Sequence, residues 1–412
     1  MTQAVEKSSD QLGDFHQLLL RMAGRLPDEL ISVARRWLAE GELVEIAQTV
    51  VFGALTGRVA LTEADAELLA QTLTAAGEDV DALADVELSE VDPQPLYGLA
   101  PVSPEVLDEY GDEVPYSIDL TVPYEGPGQP DEVDAVLAAA VADALEAGTP
   151  AVALWRCWRF PAIDTQWPPP RRMYLVQADD PAVLPALTAQ LQAALEDVGE
   201  ENPQVEVFFD ADELPAYQRT ALGFSALLWM AWAATPLLVA RVFDTYDEQE
   251  GAGFDAMHPL LDEDERDHVL AYLDEGVPLL IAPGWTEDVV DRTRGDVVPT
   301  AFRTDGRWIW TDAVAYYLRE HSLAPDLDLL DQIRGRGYAP PEVSVVELHR
   351  ALAALYAPVV DEDVFDEDVW DEYAPGFDVT EPQAAHTWDA VGVGHDTSER
   401  DMDGTTNDRA PS

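Results

Sequence analysis

Basic residues are scarce in this chain. Of 412 residues, 23 are Lys or Arg and 81 are Asp or Glu, giving a formal net charge of -58 at pH 7. Lys7 is the only lysine, and no basic residue occurs between Arg58 and Arg156, a stretch that holds 22 acids. Binding to a phosphate backbone needs clustered Lys and Arg, so this balance excludes nucleic acid as the expected partner. Anionic membrane surfaces are disfavoured on the same ground. A basic protein partner, a cationic ligand or a divalent ion is compatible with it. The near-absence of lysine in an Arg-, Ala- and Leu-rich chain suggests a GC-rich bacterial origin of the actinobacterial kind; a halophile would also use an acidic surface.

Cysteine is nearly absent too. Cys157 stands alone, so no intramolecular disulfide can form and the cytoplasm is the expected compartment. The N-terminus, MTQAVEKSSDQ, lacks the apolar core of a signal peptide. Phosphate loops, dinucleotide fingerprints, nucleophile elbows and zinc-protease motifs are all missing from the sequence. His258 and His268 bracket an acidic helix start at a spacing that matches no standard metal-ligand set. Asp401-Met-Asp403-Gly404 begins like a calcium loop and then departs from the pattern. No cofactor and no metal is implied.

One long apolar run is present. Thr220 to Ala240, TALGFSALLWMAWAATPLLVA, carries no charge and is long enough to span a bilayer. Pro236 divides it, and acidic segments flank both ends with no positive-inside bias. The expectation is a buried helix from Pro215 to Ala234, capped by Asp212, followed by a short buried strand.

Periodicity and punctuation predict an α+β protein. Residues 1–97 read as a helical domain: Leu12, Phe15, Leu19 and Met22 keep helical spacing, Gly41 stops a second helix, and Thr62 to Asp65 resembles a capping box. Residues 98–114 read as a Pro-rich linker. Residues 115–245 alternate as βαββαβ, the ferredoxin-like order, with strands near 117–123, 151–160, 171–179 and 204–209. Residues 246–357 form an α/β part with a hairpin over 297–310 turning at Asp305-Gly306. Its first helix is capped by Asp262, and Ser344 to Glu347 form a capping box for the last one. Residues 358–412 read as a disordered acidic tail, in which DEDVFDEDVWDEY places eight acids in its first twelve residues.

Three groups of residues stand out as candidate binding sites. Trp155 to Arg172 carries four arginines, three tryptophans and one acid; Arg156, Trp158, Arg159, Trp167, Arg171 and Arg172 could hold a carboxylate or phosphate or stack on a ring. The alternative is that these arginines pair with the chain's own acids. In a strand, Trp155, Cys157 and Arg159 face one way, and Arg156 and Trp158 the other. The second group is Arg303 and Arg307, which flank the hairpin turn in FRTDGRWIWTDAVAYYLREH. The third is the exposed acids Asp108, Glu109, Asp112 and Glu113, able to capture and steer a basic partner.

The pattern FRTDGRWIW…VAYYLREH resembles a module of uncharacterised actinobacterial proteins, some associated with polymorphic toxin and immunity systems. The resemblance covers roughly residues 236–355 and implies no catalytic residues. The leading expectation is therefore a non-catalytic acidic binding protein, immunity-like in type, that engages a basic protein. The alternative is an enzyme of unassigned reaction with an anion site in the Arg/Trp segment 155–172. A deep pocket holding a perturbed carboxylate or histidine would favour the second reading, and a broad acidic face the first.

Overall fold

A computed structural model describes residues 2–93, 97–161, 169–247, 251–280 and 284–357. It is an α+β protein built on two sheets. Four helices come first: α1 (Thr2–Met22), α2 (Asp28–Glu40), α3 (Leu43–Gly57) and α4 (Glu63–Ala76). Gly41 ends α2 in the left-handed region at φ 81°, where a side chain would be strained. Thr62 caps α4 by accepting the Asp65 amide.

The next segment contributes β1 (Tyr97–Ala100), α5 (Pro104–Tyr110), β2 (Ile118–Asp119), α6 (Glu132–Glu146), β3 (Ala151–Pro161), β4 (Arg171–Ala178), α7 (Leu184–Asp197), β5 (Gln204–Phe208), α8 (Ala216–Gly223) and β6 (Ala226–Met230). The strands form one sheet in the order β2-β6-β3-β4-β5, with β1 also paired to β3. Three expectations are corrected here. The segment 98–114 is not a bare linker: it holds the end of β1, α5 and a 3-10 turn at 111–113. The βαββαβ elements occur in sequence, but the sheet order is not ferredoxin-like. β4 and β5 are adjacent parallel neighbours joined by α7, an unsplit βαβ unit, and β6 enters between β2 and β3. The run 215–234 is not one helix: α8 stops at Gly223, and Ala-Leu-Leu-Trp-Met becomes β6, paired antiparallel with β3. A central strand seeking a ladder partner outweighs local helix propensity there.

Alternation sorts this sheet into two faces. Leu154, Tyr174, Val176, Val205 and Val207 point to α6 and α7, meeting Leu137, Val141, Leu187 and Leu191. Trp155, Cys157, Met173, Leu175 and Phe208 point the other way, into one continuous core with Phe15, Leu18, Leu19 and Met22 of α1 and Tyr217, Ala221 and Leu222 of α8. The N-terminal helices thus share the sheet's core rather than forming a separate one. Burial pushes the Cys157 thiol well above its usual range.

The remaining elements are β7 (Leu238–Val239), β8 (Thr245–Asp247), β9 (Gly251–Gly253), α9 (Glu263–Glu275), β10 (Val277–Leu280), β11 (Trp285–Glu287), β12 (Asp296–Pro299), β13 (Phe302–Thr304), β14 (Trp308–Thr311), α10 (Asp312–His321), α11 (Leu327–Gly335) and α12 (Val345–Tyr356). The second sheet runs β10-β13-β14-β7, and β11-β12 and β8-β9 are separate ribbons. The expected hairpin exists as β13 and β14, turning at Asp305-Gly306 with Gly306 at φ 85°. Its first strand is shorter than predicted, because 296–299 pairs with β11 instead. Trp308 and Trp310 face α9, α10 and α11; Ile309 faces α12.

Both outer edges of the large sheet are covered, as exposed edges would invite unwanted pairing. On β5, His16 of α1 hydrogen-bonds the Val207 carbonyl at 2.7 Å, and just before the strand Ser32 Oγ of α2 donates to the Pro203 carbonyl at 3.0 Å. On β2, His349 of α12 meets the Ile118 carbonyl at 3.0 Å and Arg350 pairs with Asp119 at 2.8 Å. Helix α12 opens with the predicted Ser344–Glu347 capping box and contributes Val346 to the first core and Ala351 and Leu352 to the second sheet's core. It is the joint between the two sheets. Among the described residues, no helix is long and apolar enough to cross a membrane. The acidic segment 358–412 and Trp167 lie outside the described residues.

Candidate functional site

The Arg/Trp segment is internally satisfied. Arg156 is buried and forks onto the Asp134 carboxylate and the carbonyls of Pro101 and Gly128. Arg172 donates to Asp131 at 2.6 Å and lies over the Trp158 ring with 4.9 Å to its centroid. The Tyr174 hydroxyl donates to Asp134 at 2.7 Å. On the opposite face, Arg159 pairs with Asp28 in the first turn of α2 and donates to the Tyr217 hydroxyl at 3.1 Å. Arg171 stands 3.4 Å from the same Asp28 and donates to the Glu201 carbonyl. The alternation read from the sequence places these side chains correctly, and each arginine there has a partner within the chain. A guanidinium already paired with the chain's own carboxylates has its charge largely compensated and attracts an external anion less.

Arg303 is likewise committed: its Nε donates to Asp312 at 2.6 Å and its Nη1 to the carbonyls of Asp274 and Gly276 at 3.0 Å. This clamps the hairpin to the ends of α9 and α10. Arg307 behaves differently. It is exposed at the hairpin tip, and among the described residues it has no ion-pair partner.

The four predicted acids gather at one place. Asp108 and Glu109 lie on α5, Asp112 and Glu113 on the 3-10 turn after it, and all four are exposed. Ser103 caps α5 by accepting the Val106 amide, and Pro104 sits at its first position, where a missing N–H costs little. This short helix and turn form one lip of a groove of about 290 Å³. Its floor is apolar: Leu99, Leu107, Val114, Tyr116, Phe224 and Tyr356 line it, with Asp112 and Glu113 at the rim. Three rings set the shape. Tyr116 meets Phe224 edge-on with centroids 5.4 Å apart, and meets Tyr356 edge-on at 5.7 Å. Burial raises the Tyr356 hydroxyl above its usual range, so it stays a neutral hydrogen-bonding group at ordinary pH.

An apolar floor with an acidic rim is suited to the side chains of Lys and Arg. Their methylene stems cover apolar surface while the charge reaches the polar edge, and a cation over a tyrosine face gains further. Phe224 and Tyr356 were missed from sequence, since they come from the end of α8 and the end of α12, more than a hundred residues from the acids in Tyr356's case and from Phe224 as well. Only the aromatic character of each helix end could have drawn attention to them. Comparison of the chain with protein-family models, with curated proteins and with solved structures finds no match.

Proposed function

We propose that this protein is a non-catalytic, immunity-like binding protein that holds a basic protein segment in the groove between β1, α5 and the C-terminal end of α12. The observation that carries the reading is the acid-rimmed aromatic floor formed by Leu107, Tyr116, Phe224 and Tyr356 beside Asp112 and Glu113. The chain's charge economy supports it. Most described arginines are bound to carboxylates of the chain itself, including Arg35 to Glu206, Arg156 to Asp134, Arg159 to Asp28 and Arg350 to Asp119. The surplus acids are what a partner meets. Exposed like charges around a groove steer an oppositely charged partner and raise its on-rate.

The test uses synthetic Lys/Arg-rich peptides as probes, with Glu-rich peptides of equal length beside them. Association rates are measured over a salt series for wild type, for a variant with Asp108→Asn, Glu109→Gln, Asp112→Asn and Glu113→Gln, and for a charge-matched variant with Glu63→Gln, Glu67→Gln, Glu78→Gln and Asp79→Asn. The expected result is a steep fall of on-rate with salt, slower association in the groove variant and little change in the control variant. Equal effects of the two variants would show diffuse attraction to a negative molecule and overturn the groove.

A further inference from the structure

A second cavity, of about 540 Å³, opens beside the hairpin tip and is lined by Arg307, Trp308, Leu238, Gln332, Asp328 and Arg336, with Gly335, the last residue of α11, beside Arg336. We infer that this cleft binds a small oxyanion, a carboxylate or phosphate group, between the guanidinium groups of Arg307 and Arg336. The inference is independent of the groove described above.

The first argument is the state of the two arginines. In a chain of net charge -58, most described guanidinium groups are paired with a carboxylate; besides Arg307 and Arg336, only Arg25, Arg58 and Arg219 are without one among the described residues, and these three do not line this cleft. Neighbours in the same lobe show this: Arg303 holds Asp312, Arg319 holds Asp274, and Arg334 holds Glu265. Arg307 and Arg336 are exposed, and among the described residues neither makes an ion pair. Asp328 shares the cleft wall without pairing with either. Each guanidinium can present two parallel N–H donors to a planar or tetrahedral anion, and two arginines without carboxylates line this one cavity from different elements.

The second argument is that the wall behind them is built to hold still. Asp305 is buried, and its Oδ1 accepts the amides of Arg307 at 2.9 Å and Trp308 at 2.7 Å, fixing the backbone that carries Arg307. Its Oδ2 accepts the Tyr272 hydroxyl at 2.5 Å and Gln332 Nε2 at 2.7 Å. Gln332 Oε1 in turn accepts the Trp308 indole N–H at 3.1 Å. Gln332 lies one helical turn before Arg336, so the same side chain that locks Trp308 sets the face on which Arg336 emerges. The chain Tyr272–Asp305–Gln332–Trp308 thus ties the hairpin to α11. A preorganised wall loses little freedom when a ligand enters. Arg336 was not singled out in the sequence; its signal was its place in RGRGY, at the end of a helix that carries Gln332 on the same face.

Inorganic phosphate and succinate, each added to the full-length protein at constant ionic strength, separate the two possible sources of the oxyanion. Binding is followed by isothermal titration and by the shift in melting temperature, for wild type, Arg307→Gln, Arg336→Gln and Arg319→Gln. Wild type and Arg319→Gln should respond saturably to at least one of the two probes, and each cleft variant should lose at least tenfold in affinity for it. Arg307 and Arg336 are exposed, so both variants should melt within a few degrees of wild type without probe. A response that is equal in all four proteins would be general screening of the negative charge and would overturn the site. So would the absence of a saturable response to both probes in a folded wild type.

Discussion

Arg350 Nε donates to Asp119 Oδ2 at 2.8 Å, with both side chains buried and 231 residues apart in sequence. The pair fastens the last described helix to the edge strand of the first sheet, and Arg350 Nη2 also reaches the Thr235 carbonyl at 2.9 Å. Removing one partner leaves a buried charge uncompensated. Arg350→Ala is therefore expected to cost about 3–5 kcal/mol, measured by urea unfolding with the m-value checked for loss of the C-terminal lobe. A loss below about 1 kcal/mol, the range of exposed pairs, would mean that the pair is not closed off from water.

Arg35 and Glu206 form a second buried pair, at 2.5 Å, and Gln218 Nε2 donates to the same carboxylate at 3.0 Å. Arg35→Met alone strands a carboxylate against the sheet and should destabilise strongly. Arg35→Met combined with Glu206→Leu should be distinctly more stable than the single variant, because no charge is left without a partner. A double-mutant cycle by thermal or urea melts reads the coupling directly. Additive losses would refute it.

His16 is buried against the β5 edge, and burial lowers its pKa from 6.5 to about 4 despite the Val207 carbonyl hydrogen bond. The unfolded chain takes up a proton at this histidine below about pH 6.5, and the folded chain does not until about pH 4. Stability supplied by neutral His16 is therefore full above pH 6.5, falls as pH drops through that window, and levels off below it; the full drop is on the order of 3 kcal/mol. His16→Gln should abolish this portion of the pH dependence. The quantity to compare is the difference between wild type and variant at pH 7, 5.5 and 4.5, since protonation of surface acids shifts both proteins alike.

Gly276 ends α9 where the backbone passes under Trp310. A Cβ placed there would stand 2.2 Å from the ring carbon Cζ2 of Trp310, which is fully buried. Gly276→Ala should cost about 1–3 kcal/mol through overpacking, with a change in tryptophan fluorescence. Gly276→Ala in a Trp310→Phe background should cost less.

Asp288 is buried and anchors the β11–β12 ribbon to α10. Burial works to raise its carboxyl, yet hydrogen bonds from His321 at 2.8 Å, the Asp291 amide, the Tyr316 hydroxyl and the Val290 amide together hold it below the usual carboxylate range. Its stabilising effect is present above the usual carboxylate pKa and is lost as pH falls through the lowered one. Asp288→Asn should accordingly flatten the acid limb of unfolding and speed hydrogen exchange over 285–299 at neutral pH.

The sequence disclosed what is local. The caps at Thr62, Asp262 and Ser344 and the stop at Gly41 could be read because each is satisfied within a few residues. The two faces of 154–159 could be read because strand periodicity is a property of the strand itself. The apolar run 220–240 was misread because its fate depended on β3, some seventy residues away, offering a ladder to Ala226–Met230. Sheet order failed for the same reason. At the groove, the four acids were legible as exposed, whereas Phe224 and Tyr356 join them only through tertiary folding. In the Arg/Trp segment the residues were legible and their partners were not, because Asp28 and Asp134 come from separate helices.

The position of α12 has a consequence for synthesis. The edge of β2 is covered by the last described element of the chain, so a nascent chain that has already released residues 118–119 must wait for 345–356 before that edge can close. At synthesis rates of roughly 5–20 residues per second, the wait is on the order of tens of seconds. During that interval the growing chain carries an open strand edge and an unfilled seat for Val346, and its protection then depends on the ribosome's surroundings rather than on its own fold.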